Sequence, residues 1–330
     1  MPSAPTNLNI TTIDEDRLGL NWNNNPPYPD FYDYIEIWRA QGGDSGYSKI
    51  DTISGSQTSY TDPYAYPSVK LIDGTKYYYF IRAYYAGIYA DSSHEYGETE
   101  LPAPSGLSIT VIDPNKITLN WTNNSSVYSW ILIERKETCP GSTSWAQIAG
   151  PPGSNESWND NTVKDGRTYE YRIRAQRGTI YSSYSGTDSG TTNLKKPVNL
   201  GGQSANDGTY VDLTWGDPSE TEDGYEIYRD GIKVHTTGEN ETSWRDTGVS
   251  PKTTYHYKVR AIGPCNDSAY TAEIEVYTDA PPNAADGLEA EAAGTDKVNL
   301  FWNDNSDDEL GFKIEEKVGA GSFSQIDTVG

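Results

Sequence analysis

Residues 117–121 read Ile117-Thr118-Leu119-Asn120-Trp121, apolar and polar in alternation and ending on a tryptophan. A period of two puts the three apolar side chains on one face of a strand, and the indole is large enough to fill the space between two sheets. The same run stands at Leu18-Gly19-Leu20-Asn21-Trp22, at Val211-Asp212-Leu213-Thr214-Trp215 and at Val298-Asn299-Leu300-Phe301-Trp302. Its tryptophans follow one another at intervals of 99, 94 and 87 residues, so one structural unit recurs along the chain.

A second element follows each tryptophan. Ile35, Ile37 and Arg39 match Ile131, Ile133 and Arg135, then Tyr225, Ile227 and Arg229; the fourth repeat offers Phe312, Ile314 and Glu316. The apolar members are expected to point inward and the terminal charge to lie beyond the core. Next comes Ser-aromatic-x-Asp, as Ser59-Tyr60-Thr61-Asp62, Ser157-Trp158-Asn159-Asp160 and Ser243-Trp244-Arg245-Asp246. After a turn the chain reads Tyr-x-Tyr-x-Ile/Val-x-Ala, starting at Tyr77, Tyr169 and Tyr255, with Leu71, Val163 or Val249 six positions ahead.

In order and spacing these elements resemble strands B, C, E and F of fibronectin type III domains, and the resemblance covers nearly the whole chain. It implies an all-β protein, a tandem array of fibronectin type III-like β-sandwiches, three complete and a fourth truncated. The expected domains are 1–101, 102–194, 195–279 and the partial 280–330. The resemblance makes Tyr77, Tyr169 and Tyr255 tyrosine corners, each hydroxyl bonded to backbone upstream. Boundaries fall at the proline-rich joints Leu101-Pro102-Ala103-Pro104, Lys195-Lys196-Pro197 and Ala280-Pro281-Pro282, short enough that neighbours should be semi-rigid. By the earlier spacing, the fourth corner tyrosine would lie past Gly330, leaving apolar faces and sheet edges uncovered. Either the protein continues or another chain completes that fold. Helical periodicity is absent, so almost no α-helix is expected.

Composition agrees. The 330 residues include 26 Tyr, 9 Trp, 31 Gly and 19 Pro, as expected of many short strands joined by frequent turns. With 25 basic and 48 acidic residues the net charge is −23, a field that repels phosphate backbones and excludes nucleic acid as a partner. No stretch approaches the roughly 20 apolar residues of a membrane span. Met1-Pro2-Ser3-Ala4-Pro5 lacks the basic and apolar regions of a signal peptide, so the expectation is a mature or excised fragment of a secreted protein.

The fold that the resemblance implies puts the C–C′ loop at one pole and the F–G loop at the other. Cys139, after strand C of the second domain, and Cys265, after strand F of the third, then face one junction. An interdomain disulfide is expected, in an oxidising compartment. Asn-x-Ser/Thr sequons at Asn9, Asn120, Asn123, Asn124, Asn155, Asn240 and Asn266 are glycosylation candidates in a glycoprotein. The first domain concentrates aromatics in its B–C loop, with Tyr28, Phe31 and Tyr32, and in its F–G region, with Tyr84, Tyr85 and Tyr89. Three readings stand open there: a cover for the domain's own core, a docking surface for protein, or a carbohydrate site.

Little in the sequence speaks for catalysis. His94, His235 and His256 fall on different repeats or elements, with His256 expected to face solvent. Neither a nucleophile elbow nor a phosphate-cradling glycine loop occurs. The acidic runs Asp217 to Asp223 and Asp304 to Glu309 lack the ligand spacing of a calcium loop, so no metal or other cofactor is assigned. Arg229-Asp230-Gly231 reads as a hairpin turn. The expectation is a non-catalytic extracellular or cell-surface array: an adhesive stalk, spacer or filament subunit. Its partners are protein or a second copy docked head to tail, with carbohydrate as an additional candidate. The alternative is an accessory region, spacer or carbohydrate-binding, of a secreted carbohydrate-active enzyme.

Overall fold

The alternating runs form antiparallel strands throughout the computed structural model, which describes residues 3–25, 31–64, 69–142, 144–307 and 309–330. The first repeat contains β1 (Thr6–Thr12), β2 (Leu18–Asn23), β3 (Tyr34–Gln41), β4 (Ser48–Ser54), β5 (Ser59–Asp62), β6 (Lys76–Tyr85), β7 (Ile88–Asp91) and β8 (Glu95–Glu98). One sheet runs β1-β2-β5; the other runs β4-β3-β6-β7, with β8 also on β6. The second repeat has β9 (Ser105–Asp113), β10 (Lys116–Thr122), β11 (Trp130–Cys139), β12 (Ala146–Ala149), β13 (Ser157–Asp160), β14 (Thr168–Arg177), β15 (Ile180–Tyr181) and β16 (Asp188–Thr191). Its sheets are β9-β10-β13 and β12-β11-β14-β15, with β16 on β14.

The third repeat comprises β17 (Val198–Ser204), β18 (Val211–Gly216), β19 (Gly224–Arg229), β20 (Ile232–Thr236), β21 (Ser243–Asp246), β22 (Thr254–Ile262) and β23 (Ile274–Tyr277). Its sheets run β17-β18-β21 and β20-β19-β22-β23. After it come two-stranded sheets, β24 (Asp286–Ala292) with β25 (Val298–Asn303) and β26 (Phe312–Glu316) with β27 (Ser324–Val329). No helix occurs among the described residues. The chain divides into two compact units, Met1–Asn193 and Leu194–Gly330.

Each of the first three repeats closes on its own core. Trp22, Trp121 and Trp215 are buried in separate clusters with the isoleucines and tyrosines of the C and F strands. Removing one of these indoles would cost about 3–5 kcal/mol, transfer and cavity terms together. Leu101 and Leu194, which lead into the second and third sandwiches, lie in those sandwiches' cores.

Local devices repeat with the strands. The ladder between the first two strands of every repeat skips a register, between Thr6 and Asn9, Val198 and Gly201, and Asp286 and Glu289, with the matching skip opposite Asn120 and Thr122. Inside each skip sits a left-handed residue, Asn7, Gly106, Asn199 or Gly287, types that tolerate positive φ where others are strained. The corner tyrosines behave as the resemblance implies. Tyr77, Tyr169 and Tyr255 accept hydrogen bonds from the N–H groups of Ile72, Lys164 and Ser250 at 2.9, 3.0 and 2.9 Å. Beside them, the hydroxyls of Thr99, Thr192 and Thr278 accept from the N–H groups of Thr75, Arg167 and Thr253. Asp230 and Gly231 both take positive φ in the turn between β19 and β20, the hairpin read from the sequence.

Candidate functional site

In the first three repeats the arginine of the C strand turns inward, not outward. Arg39 donates to Asp62 at 2.8 Å, Arg135 to Asp160 at 2.5 Å and Arg229 to Asp246 at 2.7 Å. The expectation that these arginines lie beyond the core is therefore corrected. Their guanidinium groups reach across the sandwich to carboxylates that are 2, 0 and 2% exposed. The hydroxyls of Tyr79, Tyr171 and Tyr257 donate to the same carboxylates at 2.8, 3.0 and 3.0 Å. Each guanidinium also lies over a corner tyrosine ring, Tyr77, Tyr169 or Tyr255. Burial first, and then the neighbouring carboxylate charge, push all three phenols well above their ordinary pKa. Every partner here is built in, so the triads hold the two sheets together.

The solvent side of the five-stranded sheet in the first sandwich carries an aromatic surface. Register puts Tyr34 of β3 opposite Tyr84 of β6, and their rings stack at 4.4 Å. Tyr89 of β7 lies 5.6 Å from Tyr84 and takes the Arg82 guanidinium over its ring at 4.1 Å. The Asp33 carboxylate fixes the adjoining turn by accepting the Ala86 N–H at 2.8 Å. Further along, Trp38 stacks on Phe80, and Phe80 on His94, beneath Arg82. The Arg82 guanidinium thus covers the middle of this face and one side of the Tyr89 ring, and the exposed parts of Tyr34 and Tyr89 lie toward its β7 end.

The predicted aromatic set divides. Phe31 is 68% exposed, and Tyr84 and Tyr89 belong to the stacked group, with Tyr85 half-buried beside the turn. Tyr32 is only 3% exposed. Its hydroxyl donates to the Ser3 carbonyl and accepts the Asn25 N–H, so it covers its own core. Tyr128 does the same in the second sandwich by donating to the Pro102 carbonyl. Tyr28 lies outside the described residues. Tyr34 was missed, although its alternation with Ile35 and Ile37 marks it as outward-facing.

Within the first unit the two sandwiches are clasped. Arg177, at the end of β14, donates to the Asp73 carbonyl and to Oγ1 of Thr75, at the corner leading into β6. Neither Cys139 nor Cys265 is a free thiol; both are disulfide-bonded.

The sequons occupy different settings. Asn9, Asn120 and Asn240 are exposed. Asn123 is half-buried, its amide nitrogen donating to the Gly153 and Asn155 carbonyls while its oxygen accepts the Trp121 indole N–H. Asn24 does this work in the first sandwich for Trp22. Asn124 is exposed, with its amide nitrogen on the Ala103 carbonyl; Asn155 and Asn266 are half-buried. In the acidic runs, Asp217 and Asp304 accept the N–H groups of Ser219 and Ser306. Among the described residues, no group of three or more His, Cys, Asp or Glu is placed to hold a metal ion. His256 is exposed on β22 and His94 bonds Asp44 at 2.7 Å, while His235 stacks on Trp244. No described helix is long and apolar enough to cross a membrane.

Three strands of A, B and E type facing a sheet of C′, C, F and G type, locked by a tyrosine corner, define the class. The chain is a tandem array of fibronectin type III-like β-sandwiches. No family profile matches it. It is 24% identical over 304 residues to Exoglucanase B of Cellulomonas fimi, covering 85% of this chain and 26% of that protein. It is 27% identical over 230 residues to Contactin-2 of Rattus norvegicus, covering 61% of this chain and 21% of the other. Collagen alpha-1(XX) chain of Homo sapiens is 23% identical over 305 residues, 91% of this chain and 22% of the other. The chain thus spans between 21% and 26% of the length of these curated relatives. Among solved structures, a two fibronectin type-III domain segment from chicken tenascin matches with a TM-score of 0.48 and 19% identity, over 58% of this chain and all of that one. The FN1-FN3 domains of chicken CNTN1 match with a TM-score of 0.29 and 15% identity, over 84% and 99%.

Proposed function

We propose that this chain is a non-catalytic extracellular array, a semi-rigid spacer or adhesive stalk that presents loops and sheet edges to protein partners. The observation that carries this reading is the clasp of Arg177 on Asp73 and Thr75, which makes a sandwich-to-sandwich joint into a fixed contact. A spacer needs reach without slack, and each fixed joint removes slack. Pairing of Cys139 with Cys265 fits the same role, since both cysteines are bonded and the chain has two. Such a bond belongs in an oxidising, extracellular setting. Asn9, Asn120 and Asn240 are the exposed glycosylation candidates whose amide nitrogens make no hydrogen bond among the described contacts. Small-angle scattering of the oxidised and reduced protein tests the proposal. The oxidised form should scatter as a narrow, extended particle, and reduction should broaden its distance distribution. A compact, isometric particle would rule the spacer out.

A second reading, an accessory carbohydrate-binding region of a secreted carbohydrate-active enzyme, is favoured by one observation: the stacked Tyr34, Tyr84 and Tyr89. Rings open to solvent present faces on which sugars stack. The similarity to an exoglucanase over 85% of the chain supports it. Sedimentation with insoluble cellulose, lost in Tyr84→Ala and Tyr89→Ala, would establish this reading; an unbound wild-type chain would end it.

A further inference from the structure

Register equates one outward-facing arginine in each of the first three sandwiches. Arg82 of β6 stands opposite Glu36 of β3, and Arg260 of β22 opposite Glu226 of β19. Both guanidinium groups are neutralised. Arg82 donates to Asp91 at 2.8 and 2.9 Å; Arg260 donates to Glu226 at 2.8 Å and lies 3.1 Å from Asp267. In the second sandwich the same place holds Arg174 of β14, and the residue opposite it is Leu132 of β11. The glutamate of the other two sandwiches has become a leucine.

Nor does another carboxylate take its place. Glu134, the next outward residue of β11, accepts from Arg172 at 2.8 and 2.6 Å and from the Tyr184 hydroxyl at 2.6 Å. Nε of Arg174 is buried without an acceptor, and among the described residues no ion pair reaches its guanidinium. Rings hold the group instead, with their centres at 4.6 Å for Tyr181 and 4.8 Å for Tyr184. In the adjacent row of the same face, Trp130 of β11 and Tyr181 of β15 flank Gln176, and the two aromatic residues are 48 and 47% exposed. The Gln176 amide nitrogen donates to the Gly178 carbonyl at 2.9 Å, which leaves its oxygen as an acceptor. Residues 102–194 carry eight acidic and eight basic side chains, while each other repeat is net negative. Of the four, this sandwich alone sets no net field of its own against an anion.

We propose that this face of the second sandwich binds a glycan bearing a uronic acid, whose carboxylate takes the place of the missing glutamate on Arg174. A guanidinium already oriented by two rings presents its Nη groups as a fork that matches a carboxylate. The pyranose of a uronate lays an apolar face on the Trp130 indole, and its equatorial carboxylate then projects sideways into the row where Arg174 stands. The acidic side chain of a protein partner brings the carboxylate without the flat apolar face, so it leaves Trp130 uncovered. This site is separate from the Tyr34, Tyr84 and Tyr89 group of the first sandwich and does not depend on it.

The test uses the intact chain and two probes: a xylo-oligosaccharide with one glucuronic acid branch, and the same compound with that carboxyl reduced to the alcohol. Calorimetric titration should find the acid bound roughly tenfold more tightly than the alcohol. Leu132→Glu restores the residue that faces the equivalent arginine in the first and third sandwiches, so it should fold, occupy Arg174 and abolish the preference. Arg174→Gln should abolish it too, whereas Trp130→Ala should weaken acid and alcohol alike. Circular dichroism checks that each variant keeps its strands. Equal binding of acid and alcohol, a preference that survives both Leu132→Glu and Arg174→Gln, or no binding of either probe would overturn the proposal. So would an acetylated Gly-Glu-Gly peptide that binds as tightly as the acid, since an acidic protein surface would then be the occupant.

Discussion

Nη1 of Arg39 lies 2.8 Å from Oδ2 of Asp62, and the Tyr79 hydroxyl donates to that same oxygen at 2.8 Å. Asp62 comes from one sheet, Arg39 and Tyr79 from the other, so the carboxylate is a rivet between layers. In water such a pair contributes little; with its carboxylate buried, each member depends on the other.

The second sandwich shows the arrangement in its most buried form, with Asp160 fully enclosed. Arg135→Ala would leave that carboxylate with the Tyr171 and Thr162 hydroxyls and the Thr162 N–H as its remaining partners. A loss of about 3 kcal/mol is expected in urea unfolding, because an enclosed charge loses its counterion. Arg135→Met with Asp160→Leu should recover much of it. If Arg135→Ala unfolds at the wild-type midpoint, the rivet is not a stabilising element.

Alkaline behaviour follows from the same triads. The folded pKa values of Tyr79, Tyr171 and Tyr257 are raised by burial and by the adjacent carboxylates. In the unfolded chain these phenols ionise near pH 10. Above that pH the unfolded state binds fewer protons than the folded one, so stability falls as pH rises. Phenolate absorbance should therefore show one class of tyrosines titrating smoothly near pH 10. A second class should appear only with cooperative unfolding, seen by circular dichroism. A single smooth titration of all 26 tyrosines would contradict this.

Much of the fold is legible in the sequence because each device writes a local signature. The tryptophans end alternating runs, and each corner tyrosine bonds the backbone five residues back. Arg39 with Asp62 is harder to see, since 23 residues and two sheets separate the pair. The available signal was that the arginine and the aspartate occur together in three repeats. Tyr32 reads as a loop aromatic, yet its hydroxyl holds the incoming first segment; Tyr128, its counterpart, was the clue. Cross-strand partners such as Tyr34 and Tyr84 require register, which alternation alone does not supply.

For the corners, Tyr169→Phe keeps the ring in its core and removes only the acceptor for the Lys164 N–H. A cost of about 1 kcal/mol is expected, the usual net value of one such bond. Amide exchange should report the change most directly, with Lys164 losing protection while the centre of β14 keeps it. Unchanged exchange at Lys164 would mean that the hydroxyl is not what orders the corner.

The joint between the first two sandwiches makes the last prediction. Arg177 contacts the first sandwich through a turn carbonyl and a hydroxyl, and neither belongs to a core cluster. Arg177→Ala should therefore leave each sandwich's own unfolding within about 0.5 kcal/mol of wild type, as for surface changes. What should change is the coupling between neighbours. In the fragment 1–193, which forms one compact unit, NMR relaxation should give the two sandwiches a common tumbling time in the wild type. In the variant their tumbling times should diverge, because a short proline-containing joint alone restricts but does not fix orientation. If they remain locked together, the stiffness comes from the joint's backbone, and the clasp only follows from it.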